Sequence, residues 1–186
     1  MERDIDRIKD KKTLWEGKFL RCVLIKYIDS FGIMREWESF ERVNCNGIVA
    51  IVAVTDKEEI LLVRQYRPSV NRYVVEFPAG LNDKGDTLEK AAQRELLEET
   101  GYTASKVIFI AEGPLSSGAS DEIITVFLAR GLEFKGVSKR DETEDIEVLK
   151  IPIRDFYQRV QEFHKKGDYI DLKVFGLVEL AKKYLS

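Results

Sequence analysis

A single histidine and two cysteines are all that this 186-residue chain carries of the softer metal-binding side chains. His164 stands in a charged late stretch and reads as a surface residue. One imidazole excludes zinc sites built from several histidines and leaves a Ser-His-Asp triad without support. Cys22 and Cys45 have no metal-ligand spacing and make no disulfide framework; both fall in stretches read as strands, so buried free thiols are expected. No apolar run approaches the roughly 20 residues that span a bilayer, so no membrane partner is expected. The first residues, Met-Glu-Arg-Asp-Ile-Asp-Arg, lack the apolar centre of a signal peptide, and a cytoplasmic location is the expectation. Positive charge is not in excess either: the net charge is −3 and Lys and Arg do not cluster, which argues against a nucleic-acid partner. With these classes set aside, acid–base chemistry falls to carboxylates.

Carboxylates are what the chain has in one conspicuous place. Arg94-Glu95-Leu96-Leu97-Glu98-Glu99-Thr100-Gly101 puts three of them into five positions. On a helix Glu95 and Glu99 are i,i+4 neighbours and Glu95 and Glu98 are i,i+3 neighbours, so like charges repel across one face. A hard divalent cation between them removes that cost, and Mg²⁺ or Mn²⁺ suits an all-oxygen set. Leu88, Ala91, Ala92, Leu96 and Leu97 give the helix an apolar face. Asp86 is expected to cap its start, with Glu89 completing a capping-box pair, and Gly101 to end it in the left-handed region. Arg94 is expected to pair with Glu98 one turn on. Just ahead, Glu76-Phe77-Pro78-Ala79-Gly80 reads as a strand end running into a tight loop.

A hydrophobic fraction of 44% is ample for one core. Apolar patterning predicts a strand within residues 13–28, a hairpin partner over 34–43 across a turn near Asp29 to Gly32, and a buried strand over 48–54. Further strands are predicted over 59–66, 73–77, 106–111, 123–129 and 146–151, and late helices over 153–165 and 171–185. Strands around a central helix with helices at the end describe an α/β chain, an α/β/α sandwich around a mixed sheet. Residues 1–43 are read as an N-terminal β-hairpin arm and 44–186 as the main domain.

The stretch from Gly80 resembles the Nudix box: Gly, five residues, Glu, seven residues, then Arg-Glu-apolar-any-Glu-Glu-any-Gly-apolar. Gly80, Arg94, Glu95, Leu96, Glu98, Glu99, Gly101 and Tyr102 fall in register, and Asp86 stands at the first Glu. The resemblance implies the Nudix fold and hydrolysis of a diphosphate, with Mg²⁺ (or Mn²⁺) held by Glu95, Glu98, Glu99 and the carbonyl of Ala79. Gly80, Asp86, Arg94 and Gly101 are then structural members of the motif.

Residues 37–42, 64–67, 76–80 and 118–147 are similar to the ADP-ribose pyrophosphatase branch, which splits ADP-ribose into AMP and ribose 5-phosphate. That likeness implies adenine stacking by Trp37 and Phe19, diphosphate binding by Arg42 and Arg67, and a general base in the acidic loop, Glu144 or Glu142, working with Glu98. Arg64 is a further candidate beside Arg67, because guanidinium forks match phosphate oxygens. Glu76 and Glu122 are candidates for ribose hydroxyls or a metal-bound water. The branch further implies a homodimer that exchanges the N-terminal strands. Ser117 stands where that branch carries Pro, which keeps other nucleoside diphosphate sugars, GDP-mannose or ADP-glucose, as alternative substrates. A non-catalytic nucleotide-binding sensor is the alternative of another class; such domains lose box carboxylates, and all three persist here.

Overall fold

The structure is a computed structural model that describes residues 6–136 and 145–184. Its first part is a three-stranded antiparallel sheet, β1 (Ile8–Glu16), β2 (Leu20–Ile28) and β3 (Met34–Arg42), in that order. The expected β2–β3 hairpin is present, and its turn is built by Asp29. The Asp29 carboxylate accepts from the backbone N–H of Phe31 and Ile33 at 2.8 and 2.9 Å and from Arg35 Nε at 2.9 Å. Gly32 supplies the positive φ, 78°, that the turn requires. The arm is more than the hairpin expected from sequence, because β1 pairs with β2 from Ile8 to Glu16. Its Lys-Asp-Lys-Lys run carries no period-2 apolar alternation, and every β1 residue is exposed.

A second sheet, eight-stranded among the described residues, runs in the order β11-β6-β5-β4-β9-β8, with β10 on β5 and β7 on β4. Its strands are β4 (Ile48–Val54), β5 (Glu59–Arg67), β6 (Arg72–Glu76), β7 (Ala79–Leu81), β8 (Tyr102–Pro114), β9 (Ile123–Phe134), β10 (Ile146–Pro152) and β11 (Tyr169–Ile170). β4 and β9 are parallel, as are β6 and β11, and the other pairs are antiparallel, so the sheet is mixed.

Among the described residues three α-helices cover it. α1 (Leu88–Thr100) packs Ala91, Ala92 and Leu96 against Val49, Ile51 and Ala53. α2 (Phe156–Lys165) and α3 (Lys173–Lys182) pack Phe156, Val160, Val174 and Val178 on the other face, against Val52 and Val54. β4 is therefore buried on both faces, which is why its sequence is apolar without alternation. Fully buried side chains such as Phe156 and Leu96 contribute roughly 1.5–3 kcal/mol each.

Three local expectations are corrected. Thr87, not Asp86, caps α1: its side chain accepts from Lys90 N–H at 3.3 Å, which places Lys90 rather than Glu89 at the capping-box position. Asp86 lies one residue outside, and its carbonyl accepts from Asn82 Nδ2 at 2.7 Å. Cys45 lies in the β3–β4 connection rather than a strand, and both cysteines are free and half-buried. The 3₁₀ turn Ile153–Asp155 takes the first residues of the helix expected from 153.

The arm is tied to the sheet at one corner. Phe40 N–H donates to the Ala119 carbonyl at 2.8 Å, and Arg42 Nε meets Glu122 Oε1 at 2.6 Å.

Candidate active site

α1 ends beside β7. Gly101, with φ 77°, closes the helix by donating its N–H to the Leu97 carbonyl at 2.9 Å. The last turns then carry Glu95, Glu98 and Glu99 past Ala79 and Gly80. Glu95 and Glu99 are buried and Glu98 is partly exposed. Glu99 Oε2 accepts from the Ala79 N–H at 3.1 Å. Arg94 Nη1 donates to Glu95 Oε1 at 2.6 Å and to Glu98 Oε2 at 3.1 Å, so one guanidinium separates two of the three acids. Its Nη2 donates to the Leu81 carbonyl at 3.3 Å, fastening helix to strand.

Burial pushes the Glu99 carboxyl up to about 8, against the Ala79 N–H, which favours the anion; Glu95 and Glu76 raise it further and Arg67 opposes them. An acid so placed gains by meeting a cation. Gly80 is needed here for space: a Cβ would lie 2.1 Å from the Glu95 carboxyl carbon. Among the described residues no three acidic, His or Cys side chains stand together as a ready-made metal cage. The set still fits a hard divalent ion by its chemistry: hard oxygen donors on one helical face, one of them an acid whose anion burial disfavours, beside a strand that has glycine at the point of closest approach.

A cavity of about 310 Å³ opens beside this cluster. Arg42, Arg67, Glu76, Glu122, Ala79 and Gly80 line it together, from β3, β5, β6, β7 and the loop before β9. Arg67 Nε meets Glu76 Oε1 at 2.7 Å, beside the Arg42–Glu122 pair already described. Glu76 is also raised, chiefly by burial, against the pull of Arg67. The floor is apolar, with Ile48, Ala50, Leu115 and Ile124.

Arg64 is not brought here. Arg64 and Arg67 are three apart on one strand, so they point to opposite faces of the sheet. Arg64 grips buried Asp168 through Nε at 2.7 Å and Nη2 at 3.1 Å and lies over the Tyr73 ring, 3.8 Å from its centre. Phe19 and Trp37 do not line the cavity either; they are 64% and 48% exposed on the arm. Glu142 and Glu144 lie outside the described residues.

The sequence reading missed Asp171 and Lys173, which also line the cavity. Their only sequence signal is a pair of opposite charges at the start of the last helix, an ordinary feature of helix ends. Short strand β11, pairing parallel with β6, is what carries them beside Glu76.

A model of the NUDIX domain matches residues 46–171. An ADP-ribose pyrophosphatase of Bacillus subtilis is 43% identical over 116 residues, which cover 62% of this chain and 63% of that relative, so the match spans less than two thirds of it. A GDP-mannose pyrophosphatase of Salmonella arizonae is 33% identical over 189 residues, covering 96% of this chain and 95% of its own. A crystal structure of an ADP compounds hydrolase shares the fold with a TM-score of 0.78 at 21% identity, over 99% of this chain and 97% of that one.

Proposed function

The chain belongs to the NUDIX domain family, and from that premise we propose that it hydrolyses the diphosphate bond of a nucleoside diphosphate sugar, ADP-ribose foremost, giving AMP and ribose 5-phosphate. The observation that carries this reading is the meeting of the α1 acids with a cavity holding two arginines, close enough that Glu99 feels the charge of Arg67. The names of the similar proteins support a nucleotide-sugar substrate.

In this reading Glu95, Glu98, Glu99 and the Ala79 carbonyl hold Mg²⁺ or Mn²⁺. Such an ion, when bound, neutralises charge on the diphosphate and lowers the pKa of a water molecule. Arg67 and Arg42 leave their carboxylate partners to take phosphate oxygens and fix the two phosphorus centres. Glu76 and Glu122, released from those arginines, face the sugar hydroxyls or the attacking water. Glu144 or Glu142 accepts the proton of that water, and the departing half leaves as a phosphate monoester. Arg94 holds Glu95 and Glu98 in place between turnovers. Phe19 and Trp37 stack on the base from the arm of a second copy in a homodimer, since their own cavity does not receive them.

A second reading within the same chemistry has its own support. Ser117 in place of Pro keeps other nucleoside diphosphate sugars open, GDP-mannose or ADP-glucose, and the near full-length likeness to a GDP-mannose pyrophosphatase supports the first of them. A panel of ADP-ribose, ADP-glucose and GDP-mannose with Mg²⁺, products separated by chromatography, tests both. Fastest release of AMP and ribose 5-phosphate from ADP-ribose is expected. GMP and mannose 1-phosphate as the faster products would transfer the assignment to the second reading, and no cleavage of any member would end both.

A further inference from the structure

A second cavity, of about 470 Å³, opens on the other side of the segment that runs from β11 into α3. α2 turns one face to it, with Tyr157, Gln161 and His164 at i, i+4 and i+7. β11 contributes Tyr169, and the approach to α3 contributes Leu172 and Phe175. The interleaved Asp171, Lys173 and Val174 line the diphosphate cavity instead, so a single segment separates the two hollows. The walls are braced from behind. Phe156, fully buried, packs edge-on against Tyr157 and Phe175, with ring centres 5.1 and 6.2 Å away. The Tyr157 hydroxyl donates to Glu179 Oε1 at 2.7 Å, and Glu179 is in turn paired with Lys182 at 2.6 Å.

The chemistry of this lining is unlike that of the diphosphate cavity. Among the described residues no Lys, Arg, Asp or Glu lines it, so a phosphate finds no cation there. Three aromatic rings offer faces and edges to a flat ring, and the volume falls within the roughly 300–1,000 Å³ of small-molecule sites. Neither the Gln161 amide nor the His164 ring has a side-chain partner among the described residues. A carboxamide carries a donor and an acceptor side by side, which match the exocyclic amine and adjacent ring nitrogen of adenine. We propose that this cavity is a second ligand site, taking an uncharged adenine-type purine, with Tyr157, Tyr169 and Phe175 as its stacking surface and Gln161 reading the edge of the base. The site is independent of the diphosphate reading, since no side chain of that cavity takes part.

His164 is the only histidine of the chain, so its imidazole proton signals in an NMR spectrum report on this cavity alone. Adenosine is titrated into the wild type, Gln161→Leu, Tyr169→Ala and Trp37→Ala at one fixed pH, with a thermal melt of each. In the wild type the His164 signals should move and saturate. Gln161→Leu, at an exposed helix position, should weaken binding about tenfold at an unchanged melting temperature, and Tyr169→Ala by at least as much. Trp37→Ala, which strips the arm of a base-stacking ring, should leave the response as it is. AMP should bind no more tightly than adenosine, and cyclohexanol, apolar but not flat, should move the signals little. No saturable shift in the wild type, unchanged affinity in Gln161→Leu, loss of the response in Trp37→Ala, tighter binding of AMP, or an equal response to cyclohexanol would each overturn the assignment. A protein that gives the expected response yet cleaves no nucleoside diphosphate sugar would keep the purine site and lose only the function proposed above.

Discussion

At the scale of single residues, the site holds an acid whose burial and whose purpose pull in opposite directions. The folded-state pKa of Glu99, about 8, stands above the ordinary 4.5. Between those values an unfolded chain has released a proton that the folded chain retains, so this residue lowers stability progressively as pH rises through that window, and the loss levels off above it. Glu99→Gln keeps an oxygen for the Ala79 N–H and carries no charge. In metal-free buffer its melting temperature should exceed that of the wild type, by a margin that widens from about pH 5 to about pH 8. The same variant with Mg²⁺ should lose on the order of 10²-fold or more in kcat. Equal melting curves across that range would show that Glu99 is not held uncharged by burial. Gly80→Ala divides the two properties differently. Its new Cβ meets only the end of the Glu95 side chain, which can turn aside. Stability by thermal melt should change by less than about 1 kcal/mol, while activity should fall at least tenfold because Glu95 has left its place. A variant that keeps full activity would remove Glu95 from the site.

At the scale of elements, the acidic helix could be read from sequence because its signals are local: three acids at helical spacing, an apolar face and a terminal glycine. Its cap could not be fixed so closely, since Asp86 and Thr87 are both good caps and only the backbone direction out of Gly85 chooses between them. The arm showed a similar limit. β2 and β3 meet around a turn whose Asp and Gly are legible, whereas β1 is a solvent-facing strand held by its pairing with β2 and by the Lys11–Glu41 ion pair, neither of which its own sequence announces. The odd spacing of Arg64 and Arg67 already puts them on opposite faces of one strand, but only the packed sheet shows that the face of Arg67 borders the cavity, so Arg64 as a phosphate-binding candidate is corrected. It is better understood as the clamp between β5, β6 and the segment leading into β11. Arg64→Met should leave Asp168 buried without its partner and cost on the order of 2–3 kcal/mol, below the full figure for a buried pair because Arg64 is partly exposed. Its binding of pyrophosphate should be affected less than that of Arg67→Met. Denaturant unfolding and calorimetry measure the two effects, and a stable but binding-deficient Arg64→Met would return this residue to the site.

At the scale of the whole molecule, a two-faced sheet positions chemistry taken from both sides. α1 presents carboxylates from one face, α3 presents Lys173 from the other, and β7 is the thin partition between them, thin because Gly80 has no side chain. The arm adds an apolar and aromatic surface, with Trp15, Phe19, Phe31 and Trp37 exposed, that a single copy leaves uncovered. Light scattering at micromolar concentration is expected to give the mass of a dimer, and a monomer would contradict the role given to Phe19 and Trp37. The central claim concerns the acids of α1, and the most direct test is the binding of Mn²⁺ followed by electron paramagnetic resonance. The wild type should take up the ion, and a variant with Glu95→Gln, Glu98→Gln and Glu99→Gln together, folded by circular dichroism, should lose that binding. Equal Mn²⁺ affinity in the two proteins would contradict the account.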